Sequence, residues 1–519
     1  MKPTMPRLLF FLLFFLASQT ATAQFENILI KESPKEPSIC INPKNTNELV
    51  AGANGDNFFY SHDGGMTWSS GHLTSSWGVW GDPCLVADTS GNFYYSHLSN
   101  TGGSGWLDRI VIQKSTDGGQ TWNDGSFTGL NEDKDQDKPW MAYDASPNSP
   151  FKGSLYVTWT EFDEYGSSEA QNRSRILCSV SNDGAETWNQ PVDVSQYTGD
   201  CIDSDNTAEG AVPAIGPNGE VYTAWSLNDT IWFDRSLDGG LTWLAQDKVV
   251  AAQPGGWNYT VPGLFRCNGL PVTACDRNTG TIYVNWTDQR NGTDDTDVFL
   301  AKSTDGGDTW GAPVRVNNDP PGRHNFLTWM AVDQVTGFLY FVFYDRRSYM
   351  DWRTDVYLAY STDGGETFAN LKISHLPFTP QPDKFFGDYT NIAVHDGQVH
   401  PIWERQVDGQ ASVWTGVSAF PLGLADEGFF ALQATLESYP NPVSETATVR
   451  FNLAKEQNLS LSVHDLTGRE AGRLFTQKKY AAGAHEVKLE NAVLHLPAGL
   501  YFLQLSNGRA SETCKLVLR

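Results

Sequence analysis

Six copies of one pattern, Ser-x-Asp-x-Gly-x-x-aromatic, run through this chain. They span Ser61–Trp68, Ser115–Trp122, Ser181–Trp188, Ser236–Trp243, Ser303–Trp310 and Ser361–Phe368. Their aspartates, Asp63, Asp117, Asp183, Asp238, Asp305 and Asp363, are 54, 66, 55, 67 and 58 positions apart. A period of this length marks an array in which each repeat is one small sheet that buries its faces only against its neighbours. The fold class this predicts is all-β, a propeller. The repeated residues belong to its scaffold, and function has to be sought in what is left.

Each repeat has the same internal order. A short apolar strand comes first, as in PCLVAD from Pro83, PWMAYD from Pro139, PVTACD from Pro271 and TWMAVD from Thr328. A second strand then ends near an aromatic residue, Trp159, Trp225, Trp286 or Phe343. A third runs into the Asp motif and a fourth follows it. Alternation and β-branched content support strands throughout. A seventh unit, from Tyr389 through Ser418, has three strands but neither the motif nor a fourth strand. FENILI from Phe25 stands alone ahead of the first unit and is expected to complete the seventh. The expectation is seven blades closed by the N-terminal strand, with six blades as the alternative. Closure of this kind removes the exposed sheet edge.

The motif explains itself locally. Its Asp carboxylate accepts hydrogen bonds from the turn it sits in, its Gly supplies positive φ, and its aromatic is expected to fold back onto the blade. The six aspartates are therefore structural.

Lys2 and Arg7 precede an apolar run, Leu8 to Ala17, that is too short to span a bilayer; Ala21-Thr22-Ala23 then offers a cleavage site. Residues 1–23 read as a signal peptide, and no other stretch reads as a transmembrane anchor. The net charge of −25, from 36 Lys and Arg against 61 Asp and Glu, excludes nucleic acid and anionic membrane as partners. It leaves cations and neutral ligands such as sugars. Seven cysteines fall on Cys40, Cys84, Cys178, Cys201, Cys267, Cys275 and Cys514. In an exported chain the first six invite disulfides, with Cys178–Cys201 as the favoured pair among fifteen pairings. No Cys-x-x-Cys spacing suggests zinc.

The motifs resemble the Asp-box, or BNR, repeats of the sialidase superfamily over roughly Phe25 to Phe420, in a propeller domain set at 24–424. The resemblance implies a propeller whose ligand site lies on the face opposite the boxes, without fixing an activity. Beyond a linker at 425–437, residues 438–519 read as a small antiparallel β-sandwich with turns at Thr467-Gly468 and Asn507-Gly508. Tyr439-Pro440-Asn441-Pro442, Asp465 through Arg469, and Leu496 through Tyr501 resemble the C-terminal sorting domain of the type IX secretion system. That resemblance implies a Bacteroidota-type cell, the type IX machinery as a partner, and a secreted or outer-membrane-surface location.

Loops entering first strands and leaving second strands share the expected ligand face. Asp82, Asp137, Glu209 and Asp388 enter first strands; Glu161, Asp288, Asp345, Glu404 and Arg405 leave second strands. Asp82, Asp388 and Glu404 are the candidate catalytic acids, since glycoside chemistry runs on paired carboxyl groups. Arg346, Arg405, Asp137 and Glu209 are candidate ligand contacts. Trp80, Trp140 and Tyr389 are candidate sugar-stacking rings, with packing between blades the plainer role for Trp140. Two similar stretches, Trp286–Arg290 and Phe343–Arg347, suggest arginines bridged between Asp288 and Asp297 and between Asp345 and Asp355. No cofactor is required; Ca²⁺ is the metal that Asp133, Asp135 and Asp137 would suit, although Lys138 stands where a calcium loop needs Gly.

Sialidases grip their substrate's carboxylate with three arginines, the first in an Arg-Ile-Pro sequence entering the first blade. This chain has Lys35-Glu36-Pro37 there and no Arg-Ile-Pro anywhere. A carboxylate at that point repels sialic acid. Two functions are therefore carried forward. One is a glycoside hydrolase or lyase that acts on extracellular glycans or glycoproteins and is not an authentic sialidase. The other is a non-catalytic surface module that binds glycan or protein.

Overall fold

The structure is a computed structural model that describes residues 25–101, 106–418, 434–453, 457–465, 470–490, 496–506 and 511–519. The signal peptide, most of the linker, and the turns at Thr467-Gly468 and Asn507-Gly508 lie outside the described residues.

Between Phe25 and Ser418 the chain forms seven four-stranded antiparallel sheets. Their first strands are Ser38–Ile41, Gly81–Ala87, Asp135–Tyr143, Glu209–Ile215, Val272–Asp276, Asn325–Val332 and Asn391–His395. Each of these packs against the first strand of the next sheet, and Asn391–His395 packs back against Ser38–Ile41. The seventh sheet takes its outer strand from the other end of the chain: Phe25–Glu32 pairs antiparallel with Gln410–Ser418, from Phe25 opposite Ser418 to Glu32 opposite Ser412.

Second strands such as Leu155–Phe162 and Val221–Leu227 are buried along their whole length. Both of their faces are covered by neighbouring sheets, so their sequences read as nearly continuous apolar runs rather than as strict alternation. Trp159, Trp225, Trp286 and Trp403 are fully buried there. Burying such rings supplies about 2–3 kcal/mol apiece.

The Asp boxes are turns of fixed chemistry. In the first, Asp63 accepts from the Ser61 hydroxyl at 2.8 Å, the Thr67 amide at 2.9 Å and the Thr67 hydroxyl at 2.6 Å, while the Ser61 oxygen accepts from the Gly65 amide at 3.0 Å. Partial burial opposes ionisation of the equivalent Asp183, but Thr187 and Ser181 outweigh it and lower that carboxyl to about 2. In five boxes a second glycine faces a neighbouring sheet; the third has Ala185 there. A Cβ on Gly119 would lie 2.4 Å from Val50, and one on Gly307 would lie 2.1 Å from Phe233. The box aromatic does not only fold back on its own sheet: Trp310 stacks edge-on against Phe233 of the preceding sheet at 5.1 Å. The boxes thus tie each sheet to its neighbour.

Two expectations need correction. All seven cysteines carry free thiols, and Cys178 is enclosed in the apolar packing of its strand instead of being bonded to Cys201. Neither repeated arginine is held between the two aspartates of its repeat. Arg290 pairs with Asp288 at 2.5 Å and Arg347 with Asp345 at 2.7 Å. The second aspartates take other cations: Asp297 pairs with Arg315 at 2.6 Å and Asp355 with Lys372 at 2.9 Å.

Residues from Ala434 onward form a three-stranded and a four-stranded antiparallel sheet. Alternate residues such as Ala447, Val449, Phe451 and Leu453 are buried in a shared core with Leu459, Leu461, Val463, Leu503 and Leu505. This period of two is what a sandwich with one wet face requires.

Candidate functional site

The site begins with a backbone device repeated at the head of the first strands. Glu36, Asp82, Lys138 and Leu327 adopt positive φ, between 48° and 54°, and Gly210 does so at 86°. In four sheets the register skips around that residue: between Gly81 and Cys84, Asp137 and Trp140, Glu209 and Val212, and Phe326 and Trp329. Each skip is a β-bulge, which redirects a side chain that would otherwise follow the pleat. Left-handed backbone at a residue with a Cβ costs about 1 kcal/mol or more and persists only where its surroundings hold it. Proline follows three of these residues, at Pro37, Pro83 and Pro139.

These bulges bring charged groups together. The Lys138 ammonium lies 3.4 Å from Glu209, 3.4 Å from Asp388 and 3.9 Å from Asp137. Arg266 sits just before Cys267 in the hairpin Asn258–Tyr259/Cys267–Asn268 and grips Asp388 with both sides of its fork, Nε donating at 2.8 Å. Its other nitrogen is 3.5 Å from Asp203, which also accepts from the Tyr165 hydroxyl at 2.6 Å. Glu36 accepts from the Asn54 amide group and from the backbone amide of Asp388, the latter at 3.1 Å.

Two cations face six carboxyl groups here: Glu36, Asp82, Asp137, Asp203, Glu209 and Asp388. Like charges held this close and out of water cannot all ionise. Burial, with Asp137 beside it, pushes the Asp82 carboxyl up to about 7, and the two side chains share a hydrogen bond. Burial, reinforced by Asp82 and Asp388, lifts Glu36 well above the carboxylate range. Burial, reinforced by Asp203, does the same to Glu209. Asp388 goes the other way, because Lys138 and Arg266 outweigh its burial. The cluster therefore holds a protonated acid beside a fixed carboxylate, the separation that lets one site carry both acid and base. Asp82 alone of the acids discussed here with a raised pKa keeps partial solvent contact.

Of the residues picked from sequence, Asp82, Asp137, Glu209 and Asp388 meet in this cluster. Glu404 lies behind it, almost fully buried; burial raises its pKa strongly, and its closest neighbours include Glu36 and Gly387. Tyr389 and Trp140 are buried and meet edge to face at 5.1 Å, so neither offers a free ring. Trp80 does, at 48% exposure. Arg346 is buried and donates to the Pro262 carbonyl at 2.5 Å and to Thr354 at 3.0 Å. Arg405 lies over the Trp414 ring at 5.0 Å. Neither arginine pairs with the cluster. Asp135 is used by backbone, accepting from the amides of Trp106 at 2.8 Å and Tyr165 at 2.9 Å. Among the described residues no group of three His, Cys, Asp or Glu side chains is set to hold a metal ion, so Asp133, Asp135 and Asp137 do not form one.

Sequence reasoning passed over Glu36, Lys138, Asp203 and Arg266 as site residues. The first two carry a readable signal: a charged residue directly before proline at the head of a first strand, shared with Asp82. Arg266 and Asp203 sit in insertions between sheets, where no repeat points to them. Two rings lie near the cluster's cations: Phe385, between the sixth and seventh sheets, is 4.9 Å from Arg266 and 5.2 Å from Lys35, and Phe265, beside Arg266 in the chain, is 58% exposed. A cavity of about 30 Å³ runs between Lys138, Trp140, Leu327, Asp388 and Tyr389, with room for one water.

Comparison with known proteins adds two family matches. The BNR/Asp-box repeat matches residues 59–70, and the secretion system C-terminal sorting domain matches residues 437–519. The chain carries both modules. It is a type IX secretion cargo of Bacteroidota, secreted or held at the cell surface. No helix among the described residues is long and apolar enough to cross a membrane. No curated protein matches the sequence. Among solved structures, the Hadza microbial sialidase Hz136 aligns at 16% identity over 73% of this chain and 75% of its own, with a TM-score of 0.42. The Penicillium chrysogenum alpha-L-arabinanase aligns at 13% identity over 76% and 98%, TM-score 0.41, and the NanB sialidase of Streptococcus pneumoniae at 9% over 77% and 95%, TM-score 0.42. Likeness of this degree assigns no activity to the BNR-repeat cargo.

Proposed function

We propose that this cargo is an extracellular glycan-active enzyme. In this reading its seven sheets are the blades of a closed propeller, and the N-terminal strand completes the last blade. Asp82 is the proton donor to a glycosidic oxygen. The observation that carries the reading is the pair of opposed shifts at Asp82 and Asp388: an acid that keeps its proton near pH 7, with some solvent contact, in the same cluster as a carboxylate fixed by Lys138 and Arg266. General acid catalysis needs a group of that strength at the leaving oxygen. The ionised carboxylates supply a negative field that stabilises the positive charge developing on the sugar ring. Glu36 stands at the head of the first sheet where an arginine would be needed to grip the carboxylate of a sialic acid, which argues against that sugar as substrate.

The small cavity favours the second reading, a binding module. A cavity of only about 30 Å³ beside Lys138 and Asp388 is too small for a sugar, which would rest instead on exposed rings such as Trp80 and Phe265. One experiment separates the two. The purified protein is incubated with a panel of neutral and acidic glycans, with and without calcium, and products are profiled by mass spectrometry. A defined product that disappears with Asp82→Asn supports the enzyme. Retention of uncleaved glycan, lost with Trp80→Ala, supports the module. Neither cleavage nor retention across the panel sinks both.

A further inference from the structure

The other end of the first strands, on the side of the Asp boxes, holds a second and much larger cavity of about 470 Å³. It is lined by the last residues of first strands from several sheets, among them Val86, Tyr143 and Val394, together with Arg277, Gln334 and Thr89. Its size falls in the range of pockets that take small organic molecules.

Arg277 is held there by a built support. The Gln334 side-chain oxygen accepts from the Arg277 backbone amide at 3.0 Å and from its Nε at 3.2 Å, and the Gln334 amide nitrogen donates to the Cys275 carbonyl at 2.8 Å. One side of the guanidinium is thereby fixed. Among the described residues, Arg277 takes part in no ion pair.

The carboxylates that could neutralise it are spent elsewhere. Three of the nearby first strands end at an aspartate that is already occupied by turn amides or hydroxyls. Asp144 accepts from the Ser146 amide at 2.8 Å and the Ser149 hydroxyl at 2.5 Å. Asp276 accepts from the Asn278 amide at 2.9 Å and Thr279 at 2.7 Å. Asp333 accepts from the amides of Val335, Asp396 and Gly397 at 3.0, 3.0 and 2.7 Å. Burial lowers the Arg277 pKa, and Asp144 and Asp276 do not make up the loss. A cation left without a partner at the edge of an apolar cavity is the arrangement that accepts an oxyanion through the free side of its fork.

The geometry points to this cavity as a binding site for a small organic carboxylate, its charge on Arg277 and its body against Val86 and Val394, with the Tyr143 and Thr89 hydroxyls beside it. The chain's net charge of −25 selects a single charge over a di- or trianion. The site lies at the opposite end of the first strands from the acidic cluster and does not depend on any activity there.

Isothermal titration of the purified full chain with hexanoate, benzoate and glucuronate, each against its neutral counterpart hexanol, benzyl alcohol or methyl glucoside, tests it. At least one carboxylate is expected to bind saturably, with its neutral counterpart weaker by roughly ten-fold or more. Arg277→Gln is expected to weaken that carboxylate to a similar degree. Arg277→Lys, which keeps the charge but not the fork, is expected to weaken it less and decides the matter where Arg277→Gln fails to fold. No saturable heat with any of the three acids overturns the assignment. So does equal binding of acid and neutral counterpart, or binding unchanged in both variants.

Discussion

Lys138 and Asp388, 250 residues apart in the chain, meet at 3.4 Å where the first strands of the third and seventh sheets begin. Lys138 is almost fully buried. Its ammonium is the one group that touches Asp137, Glu209 and Asp388 together, and Arg266 supports only the last of these.

Removing that ammonium leaves buried carboxyls without their counter-charge. Lys138→Met is expected to destabilise the protein by about 3–5 kcal/mol, the usual result of breaking one partner of a buried pair. Urea denaturation followed by tryptophan fluorescence measures it. A loss under 1 kcal/mol would show that the cluster has enough protons without Lys138.

The raised acids set the pH dependence of stability. Asp82, Glu36, Glu209 and Glu404 all hold protons more tightly folded than unfolded. Between about pH 4, the unfolded carboxyl value, and about pH 7 the folded state therefore binds more protons, and stability falls as pH rises through that window. Asp388 acts oppositely, with a contribution present above the unfolded value and lost as pH falls below it. Melting temperature should peak on the acid side of neutrality and decline toward pH 8. A flat profile between pH 5 and 8 would mean these acids are ionised in the folded protein.

If Asp82 donates the proton, glycan turnover declines as pH rises past about 7. Asp82→Asn should lower kcat by about 10²–10⁴-fold, the usual worth of a positioned acid. Substrates with good leaving groups should suffer least. Equal losses for good and poor leaving groups would remove Asp82 from the acid role.

The box glycines can be tested against one another. At the third box Ala185 occupies the position of Gly307 with a φ of 67°, so that backbone tolerates a Cβ. Gly307→Ala fails for a different reason, the 2.1 Å approach to Phe233. A loss of about 1–3 kcal/mol is expected there, and little change for Ala185→Gly. Thermal unfolding of the two variants measures both.

The scaffold was legible because its signals are local and repeated. A six-fold Asp turn, an apolar second strand and a missing fourth strand can each be read without knowing what lies across the molecule. The site was half legible for the same reason. Asp82, Asp137, Glu209 and Asp388 all lie where the chain enters a first strand, so counting strands finds them. Lys138 and Glu36 were visible as residues but not as site members, because their role follows from a bulge that turns the side chain off its pleat. Arg266 breaks no pattern and lies in an insertion. The Asp133 to Asp137 alternation suggested a metal, yet two backbone amides had already claimed Asp135. The free thiols follow the same logic, since strand packing decided where Cys178 went.

The pairing of Phe25–Glu32 with Gln410–Ser418 also sets an order of assembly. A chain that emerges from its N-terminus presents this strand first and its partner almost last. Until residue 418 is delivered, Phe25–Glu32 is an unmatched edge, a template for any stray strand it meets. The last latch to engage is therefore the one that commits the molecule. Cargo halted or cut before that point leaves Phe25–Glu32 without its partner, and its cost to the exporting cell would be that of an aggregating edge rather than of a lost activity.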